Sequence, residues 1–268
     1  MHLARVVIAY PSGNTTAVVF DDVPGVDRKK LNQAVSEAWA KRGGAESIEQ
    51  CCFVTKAQDP SAIGRVEMFG GEFCGNATRS VVFLLTQGNE GEGIIESSGT
   101  KQSLRFSMKD GIVSVQVPLL SSEYVQSDDS GYVVRLDGIT HVVRFVQEVT
   151  NPRVLLQDML DTNYLNLRSE PAVGVSLYHQ DTGRAAFCVW VNAVDTIFDE
   201  TACGSGTASI GIALATKQHK AIEVPVTQPS GETIKVSVIT DSHTAIGSVH
   251  ISGRVSILYD GPLDVVGV

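Results

Sequence analysis

Apolar positions along this chain follow two rhythms, one of alternating or continuous β-branched runs and one of helical spacing, and they recur in a fixed order. Arg5–Tyr10 and Thr16–Phe20 are β-branched runs split by Pro11-Ser12-Gly13-Asn14, which predicts a hairpin with Asn14 at its turn. Asp27 then stands where a helix cap belongs, ahead of Leu31, Ala34, Val35, Ala38 and Trp39 on one helical face, with Gly43-Gly44 ending the run. Strands are expected at Cys51–Thr55 and Arg65–Phe69. They are followed by a helix through Val81, Val82, Phe83, Leu84 and Leu85, apolar on nearly every side and so expected to be buried all round. Glu92–Ser98, Ser103–Met108 and Gly111–Val117 read as short strands with Gly-containing turns.

After a polar run from Ser121 to Gly131, read as a linker or surface loop, the order repeats. Strands are predicted at Tyr132–Leu136 and His141–Val149, and a helix starting at Asn151 or Pro152 carries Leu155, Leu156, Met159 and Leu160. Strands Val173–Tyr178 and Ala185–Val191 lead to a small-residue apolar helix over Ser209–Ala215. Glu223–Thr227, Thr233–Ile239, Ala245–Ile251 and Val255–Tyr259 close the chain as strands. Two halves are expected, residues 1–122 and 123–268, with the last strand able to return to the first half.

Composition narrows what such a chain does. With 268 residues, 43% of them hydrophobic, it can bury two modest cores. A net charge of −9 argues against a nucleic-acid or anionic-membrane partner, which would want a basic patch, and favours a small-molecule substrate. No stretch approaches a membrane span, and the N-terminus enters a strand pattern at once, so a cytoplasmic location is expected. Five cysteines at irregular spacing make a poor disulfide framework. Cys51, Cys52 and Cys188 lie in apolar strand runs and are expected in the core, and His2, His179, His219, His243 and His250 at surface or strand positions. No Cys-x-x-Cys or histidine cluster supports a metal site, no Gly-x-Gly-x-x-Gly follows a strand, and Gly204-Ser205-Gly206 lacks the lysine of a phosphate loop.

The two remaining cysteines change the picture. Gly71-Glu72-Phe73-Cys74-Gly75-Asn76-Ala77-Thr78 and Thr201-Ala202-Cys203-Gly204-Ser205-Gly206-Thr207-Ala208 each set a cysteine immediately before a helix, about half a chain apart. A helix N-terminus presents free N–H groups and positive dipole, which favour thiolate over thiol and can hold a carboxylate. Inverting an amino-acid Cα needs a base on one face and an acid on the other, and two tuned thiols serve both directions by exchanging roles. Helix N-termini aimed at the carboxylate would stabilise the charge that spreads onto it.

These stretches, with Gly13-Asn14, resemble the diaminopimelate epimerase family of pyridoxal-phosphate-independent racemases over essentially the whole chain. The resemblance implies an α/β (α+β) fold of two pseudo-symmetric domains, each a β-barrel-like sheet around a central helix, with the active site in the cleft between them. It makes Cys74 and Cys203 the acid/base pair and assigns the substrate α-carboxylate to the amides of Gly75, Asn76, Gly204 and Ser205. Asn14 would contact the substrate, and His141 would stand behind the contacting residues. No cofactor is implied, and a homodimer is.

Departures from diaminopimelate epimerases point to another substrate. Those enzymes carry Glu-Arg-Gly after a tryptophan, where this chain has Val191-Asn192-Ala193 after Trp190, and a Gly-Asn-Pro-His segment is here Gly138-Ile139-Thr140-His141. The pocket for a distal carboxylate is therefore expected to be absent. A closer likeness is to the histidine racemases of staphylopine-type metallophore synthesis, carried by Pro11-Ser12-Gly13-Asn14, Glu49-Gln50, both cysteine stretches and Gln228-Pro229-Ser230-Gly231. Glu49 and Glu200 would suit an imidazole or an amine, or would be solvated loop or capping residues. Glu72 reads as a cap or structural contact. Racemisation of histidine is the first expectation. Another amino acid, such as a diamino acid or diaminopimelate, and a thiol-based metal or redox protein remain as alternatives.

Overall fold

The computed structural model describes residues 1–23, 27–44, 46–120, 124–128, 130–241 and 245–267. They form two compact units, Met1–Val115 together with the segment returning at Gly253, and Gln116–Ser252. The expected division at 122/123 falls on residues outside those described, as do Ser121, Ser122, Glu123, Asp129 and His243.

In the first unit β1 (His2–Tyr10) and β2 (Thr16–Val19) make the predicted hairpin, with Ser12, Gly13 and Asn14 at positive φ in its turn. Helix α1 (Arg28–Lys41) then crosses to β3 (Gln50–Thr55), which runs parallel to β2 and pairs antiparallel with β4 (Ala62–Met68). Asp27 caps α1 by accepting from the Lys29 and Lys30 N–H groups at 3.0 and 3.3 Å. A second helix, α2 (Gly75–Leu85), crosses to β5 (Gly91–Ser97), parallel to β4, and β6 (Leu104–Lys109) and β7 (Ile112–Gln116) follow antiparallel.

The second unit repeats this path. β8 (Val125–Asp128) and β9 (Gly131–Leu136) pair antiparallel, and β9 pairs with β10 (Ile139–Phe145). Helix α3 (Pro152–Asp161), capped by Asn151 with proline in its first turn, crosses to β11 (Ala172–His179), parallel to β10. β12 (Arg184–Val191) pairs antiparallel with β11 and carries β13 (Thr196–Glu200) on its other side. Helix α4 (Gly204–Gln218) leads to β14 (Ile222–Thr227), which touches β12 in parallel, and β15 (Thr233–Thr240) and β16 (Ile246–Arg254) complete a meander. Strand β17 (Ser256–Asp264) belongs to the first unit, where it pairs antiparallel with β1. The succession hairpin, helix, hairpin, helix, meander thus occurs twice, with β8 and β13 added to the two hairpins of the second unit. The order of elements anticipated from the sequence is a true repeat of topology.

Each unit has an outer and a central helix. Leu31, Ala34, Val35 and Trp39 of α1 pack with Leu3, Ile8, Ala17, Val19, Cys51 and Phe53 on one face of the first sheet. Leu156, Met159 and Leu160 of α3 pack with Val142, Val173, Val175, Cys188 and Trp190 in the second. The central helices α2 and α4 take the remaining faces, α2 against β2 to β5 and α4 against β9, β10, β11, β14 and β15. Burial of apolar surface on both faces explains strands that read as continuous rather than alternating runs.

Two expectations need correction. Helix α2 is buried from Gly75 through Val82, but Phe83, Leu84 and Leu85 are partly exposed, because only its first two turns lie under the sheet. The polar run read as a loop contains β8, an edge strand whose side chains are largely exposed and whose order comes from backbone pairing to β9. Asp128 at its end is held by Arg144 Nη2 at 2.8 Å and by the Tyr164 hydroxyl at 2.6 Å.

Candidate active site

The two cysteines of interest occupy the same local geometry. Cys74 is the N-cap of α2 with φ −131° and ψ 112°, and Cys203 is the N-cap of α4 with φ −125° and ψ 110°. Each sulfur accepts the N–H three residues on, from Ala77 at 3.5 Å and from Gly206 at 3.4 Å. Each cysteine carbonyl receives the first helical bond, from Thr78 N at 3.0 Å and Thr207 N at 2.9 Å. A cap side chain normally supplies oxygen here; a sulfur in its place sits in the positive end of the dipole with an N–H donor on it, both of which favour the thiolate.

Around Cys74 a polar chain runs back to the first hairpin. Its thiol donates to Gln50 Oε1 at 3.2 Å, Gln50 Nε2 donates to Thr16 Oγ1 at 2.9 Å, and Thr16 Oγ1 donates to the Asn14 carbonyl at 2.9 Å. Parallel pairing of β2 and β3 sets Thr16 beside Gln50, so this chain follows from strand register. Asn14 itself is buried with φ 52°, and the neighbouring Glu49 N–H donates to the Thr15 carbonyl at 2.9 Å. Asn76 is buried on the first turn of α2, where its Oδ1 accepts from Arg79 Nη2 at 2.8 Å. The first unit thus gathers Asn14, Glu49, Cys74, Gly75 and Asn76, and adds Gln50, Thr16 and Arg79.

A different set surrounds Cys203. Gln228 Oε1 accepts the Cys203 N–H at 3.0 Å while its Nε2 donates to Thr207 Oγ1 at 3.1 Å. Ser205 Oγ lies 3.5 Å from the Cys203 sulfur and 2.9 Å from His141 Nε2, and Ser176 Oγ lies 3.2 Å from His141 Nδ1. His141 is wholly buried, and burial alone pushes its pKa down to about 3, so the ring is neutral. With the proton on Nε2 the ring donates to Ser205, accepts from Ser176, and leaves the Ser205 hydroxyl hydrogen for sulfur. Gly174, opposite His141 in the parallel register, makes room for the ring: a Cβ there would come within 2.2 Å of it. Gly204 is buried in the same first turn, and Glu200 ends β13, half-buried and three residues before Cys203.

The other cysteines are structural. Burial pushes Cys51 and Cys188 up to about 12 and Cys52 well above the usual thiol range. Glu72 supports the turn before α2 through its carbonyl, which accepts from Ser98 Oγ at 2.6 Å, and burial raises its carboxyl pKa. His2 is exposed against Asp264, and His219 is the left-handed C-cap of α4. Gln50, Gln228, Ser176 and Arg79 were not singled out as site residues from the sequence. The signal for the glutamines lay in the matched segments Glu49-Gln50 and Gln228-Pro229-Ser230-Gly231.

Known proteins match along most of this chain. It is 28% identical to a histidine racemase of Fusobacterium nucleatum subsp. nucleatum over 182 residues, 62% of this chain and 68% of that protein. It is 23% identical over 240 residues to a histidine racemase of Staphylococcus aureus, covering 85% of this chain and 86% of that one. The solved structure of a hydroxyproline epimerase from Agrobacterium vitis shares the fold, with a TM-score of 0.67 at 13% identity over 97% of this chain and 92% of that chain. The family model described as the histidine racemase CntK N-terminal domain matches residues 6–263, and the chain belongs to that family.

Proposed function

We propose that this protein racemises histidine without a cofactor, using Cys74 and Cys203 as the acid/base pair. The observation that carries the reading is the repeated N-cap: two thiols in one backbone geometry, each with a helix N–H on sulfur, at equivalent points of two topologically equal units. Family membership and the names of the relatives favour histidine over a diamino acid or a thiol-redox role.

In this mechanism one cysteine, as thiolate, takes the Cα proton and becomes a thiol. The other, as thiol, gives its proton to the opposite face of the carbanion and becomes a thiolate. Charge developing on the substrate carboxylate is met by the amides of Gly75, Asn76, Gly204 and Ser205 at the helix starts. Asn14 contacts the substrate, and Glu49 and Glu200 are the carboxylates offered to its imidazole. Among the described residues no helix is long and apolar enough to cross a membrane. A cytoplasmic homodimer is part of this reading and is checked by sedimentation of the purified protein.

The test is exchange in D₂O with L-histidine and separately with D-histidine. Expected are deuterium at Cα in NMR and, by chiral chromatography, convergence on equal amounts of the two isomers from either side. Cys74→Ala and Cys203→Ala should each abolish inversion. Exchange of another amino acid in place of histidine would redirect the substrate, and no exchange with any amino acid would end the racemase reading.

A further inference from the structure

The two helix starts match in backbone but not in charge. Five residues after Cys74 stands Arg79; five after Cys203 stands Ala208. Arg79 is 0% exposed, and its Nη2 donates to the Pro11 carbonyl at 2.7 Å and to Asn76 Oδ1 at 2.8 Å. Its Nε and Nη1 have no hydrogen-bond partner among the described residues, and none of the ion pairs among those residues includes it. A guanidinium stays charged in proteins, and a buried charge without a counter-charge is strongly unfavourable. Burial depresses Arg79 to about 10, and the opposing influence that raises it again is a negative charge on Cys74.

Stabilisation of this kind is mutual: what the thiolate does for Arg79, Arg79 does for the thiolate. Two other titratable groups near Cys74 carry no positive charge. Cys52 on β3 is kept a neutral thiol by complete burial, and Glu72 on the approach to α2 carries a carboxyl whose pKa burial raises. Gln50 suits both states of the sulfur. Its Oε1 accepts from the thiol as found, and turning the amide over would set Nε2 on a thiolate, with the single Thr16 hydroxyl hydrogen moving from the Asn14 carbonyl to Oε1. Cys203, by contrast, has the Ser205 hydroxyl at 3.5 Å with the neutral His141 ring behind it, Glu200 three residues upstream, and Ala208 at the position that matches Arg79.

We propose that Arg79 is a positioning residue that makes the two cysteines unequal, holding Cys74 as the thiolate and leaving Cys203 as the thiol in the free enzyme. The enantiomer whose Cα hydrogen meets Cys74 is then the one the resting enzyme accepts first. This rests on the two-cysteine reading of the site, but its test does not use turnover.

Alkylation of each cysteine by iodoacetamide is followed by mass spectrometry across pH 5–10. The midpoint of each profile reports ionisation, whereas accessibility changes only the plateau. In the unmodified enzyme the Cys74 midpoint is expected at least about one pH unit below that of Cys203, a tenfold difference in the thiolate-to-thiol ratio. Arg79→Met should raise the Cys74 midpoint by about one unit or more and leave Cys203 in place, and Arg79→Lys should keep it low. A Cys74 midpoint at or above that of Cys203 in the wild-type enzyme overturns the proposal whether or not the variants fold. So does an equal rise in Arg79→Lys and Arg79→Met, or a shift of both cysteines together. Failure of histidine exchange with the alkylation order intact would sink the racemase reading alone.

Discussion

His141 Nε2 lies 2.9 Å from Ser205 Oγ, joining strand β10 to the first turn of α4 across 64 residues of sequence. Burial keeps this ring uncharged by lowering its pKa to about 3. In the unfolded chain the same histidine titrates near 6.5, so between about pH 6.5 and 3 the unfolded state binds more protons than the folded one. Stability therefore falls as the pH drops through that window, by up to about 1.4 kcal/mol per pH unit from this residue. Urea unfolding at pH 7, 5 and 4 should show a flatter decline for His141→Gln than for the wild type. Parallel declines would mean that His141 is not the acid-sensitive group.

Gly174→Ala tests how that ring is held. Its Cβ would stand 2.2 Å from the His141 ring, and neither partner can yield without leaving the β10–β11 register or the Ser176 and Ser205 hydroxyls. Overpacking of this kind costs about 1–3 kcal/mol. A lower melting temperature is expected, together with altered iodoacetamide kinetics at Cys203 while Cys74 stays unchanged. An unaltered Cys203 would separate the ring from the thiol chemistry.

Cys51, Cys52 and Cys188 should resist labelling in the folded protein at pH 8, because burial raises all three well above that pH. Intact-mass analysis should find label on Cys74 and Cys203 alone until urea is added. Cys188→Ala should leave turnover near wild type while lowering stability by about 1 kcal/mol, the usual size of a small core deletion. Loss of activity equal to that of Cys74→Ala and Cys203→Ala would point to structural damage instead.

What the sequence conveyed was local. Asp27, Asn151 and both cysteines could be read as caps, because a cap is a residue type at a fixed offset from an apolar run. The hairpin turn at Pro11–Asn14 was equally legible. β8 and β13 were not, since Gln126, Ser127, Phe198 and Asp199 are exposed and their order comes from backbone pairing with β9 and β12. The partners of the cysteines were hidden for the same reason. Gln50 reaches Cys74, and Ser176 reaches His141, through strand register and helix placement that no short window of sequence contains. Arg79 is the opposite case: it stands beside the motif, but its burial has no signal in the sequence, because a charged residue on a helix is ordinarily solvated.

The return of β17 to β1 sets an order of assembly on the ribosome. Residues 116–252 form a contiguous unit, so all of its strand partners have been synthesised before β17 is made. The unit that begins the chain has to wait, with β1 paired on one side only, until a strand made more than two hundred residues later closes the register His2↔Asp264. During that interval β1, with Val6, Val7 and Ile8 along it, presents an open edge of the kind that invites mispairing.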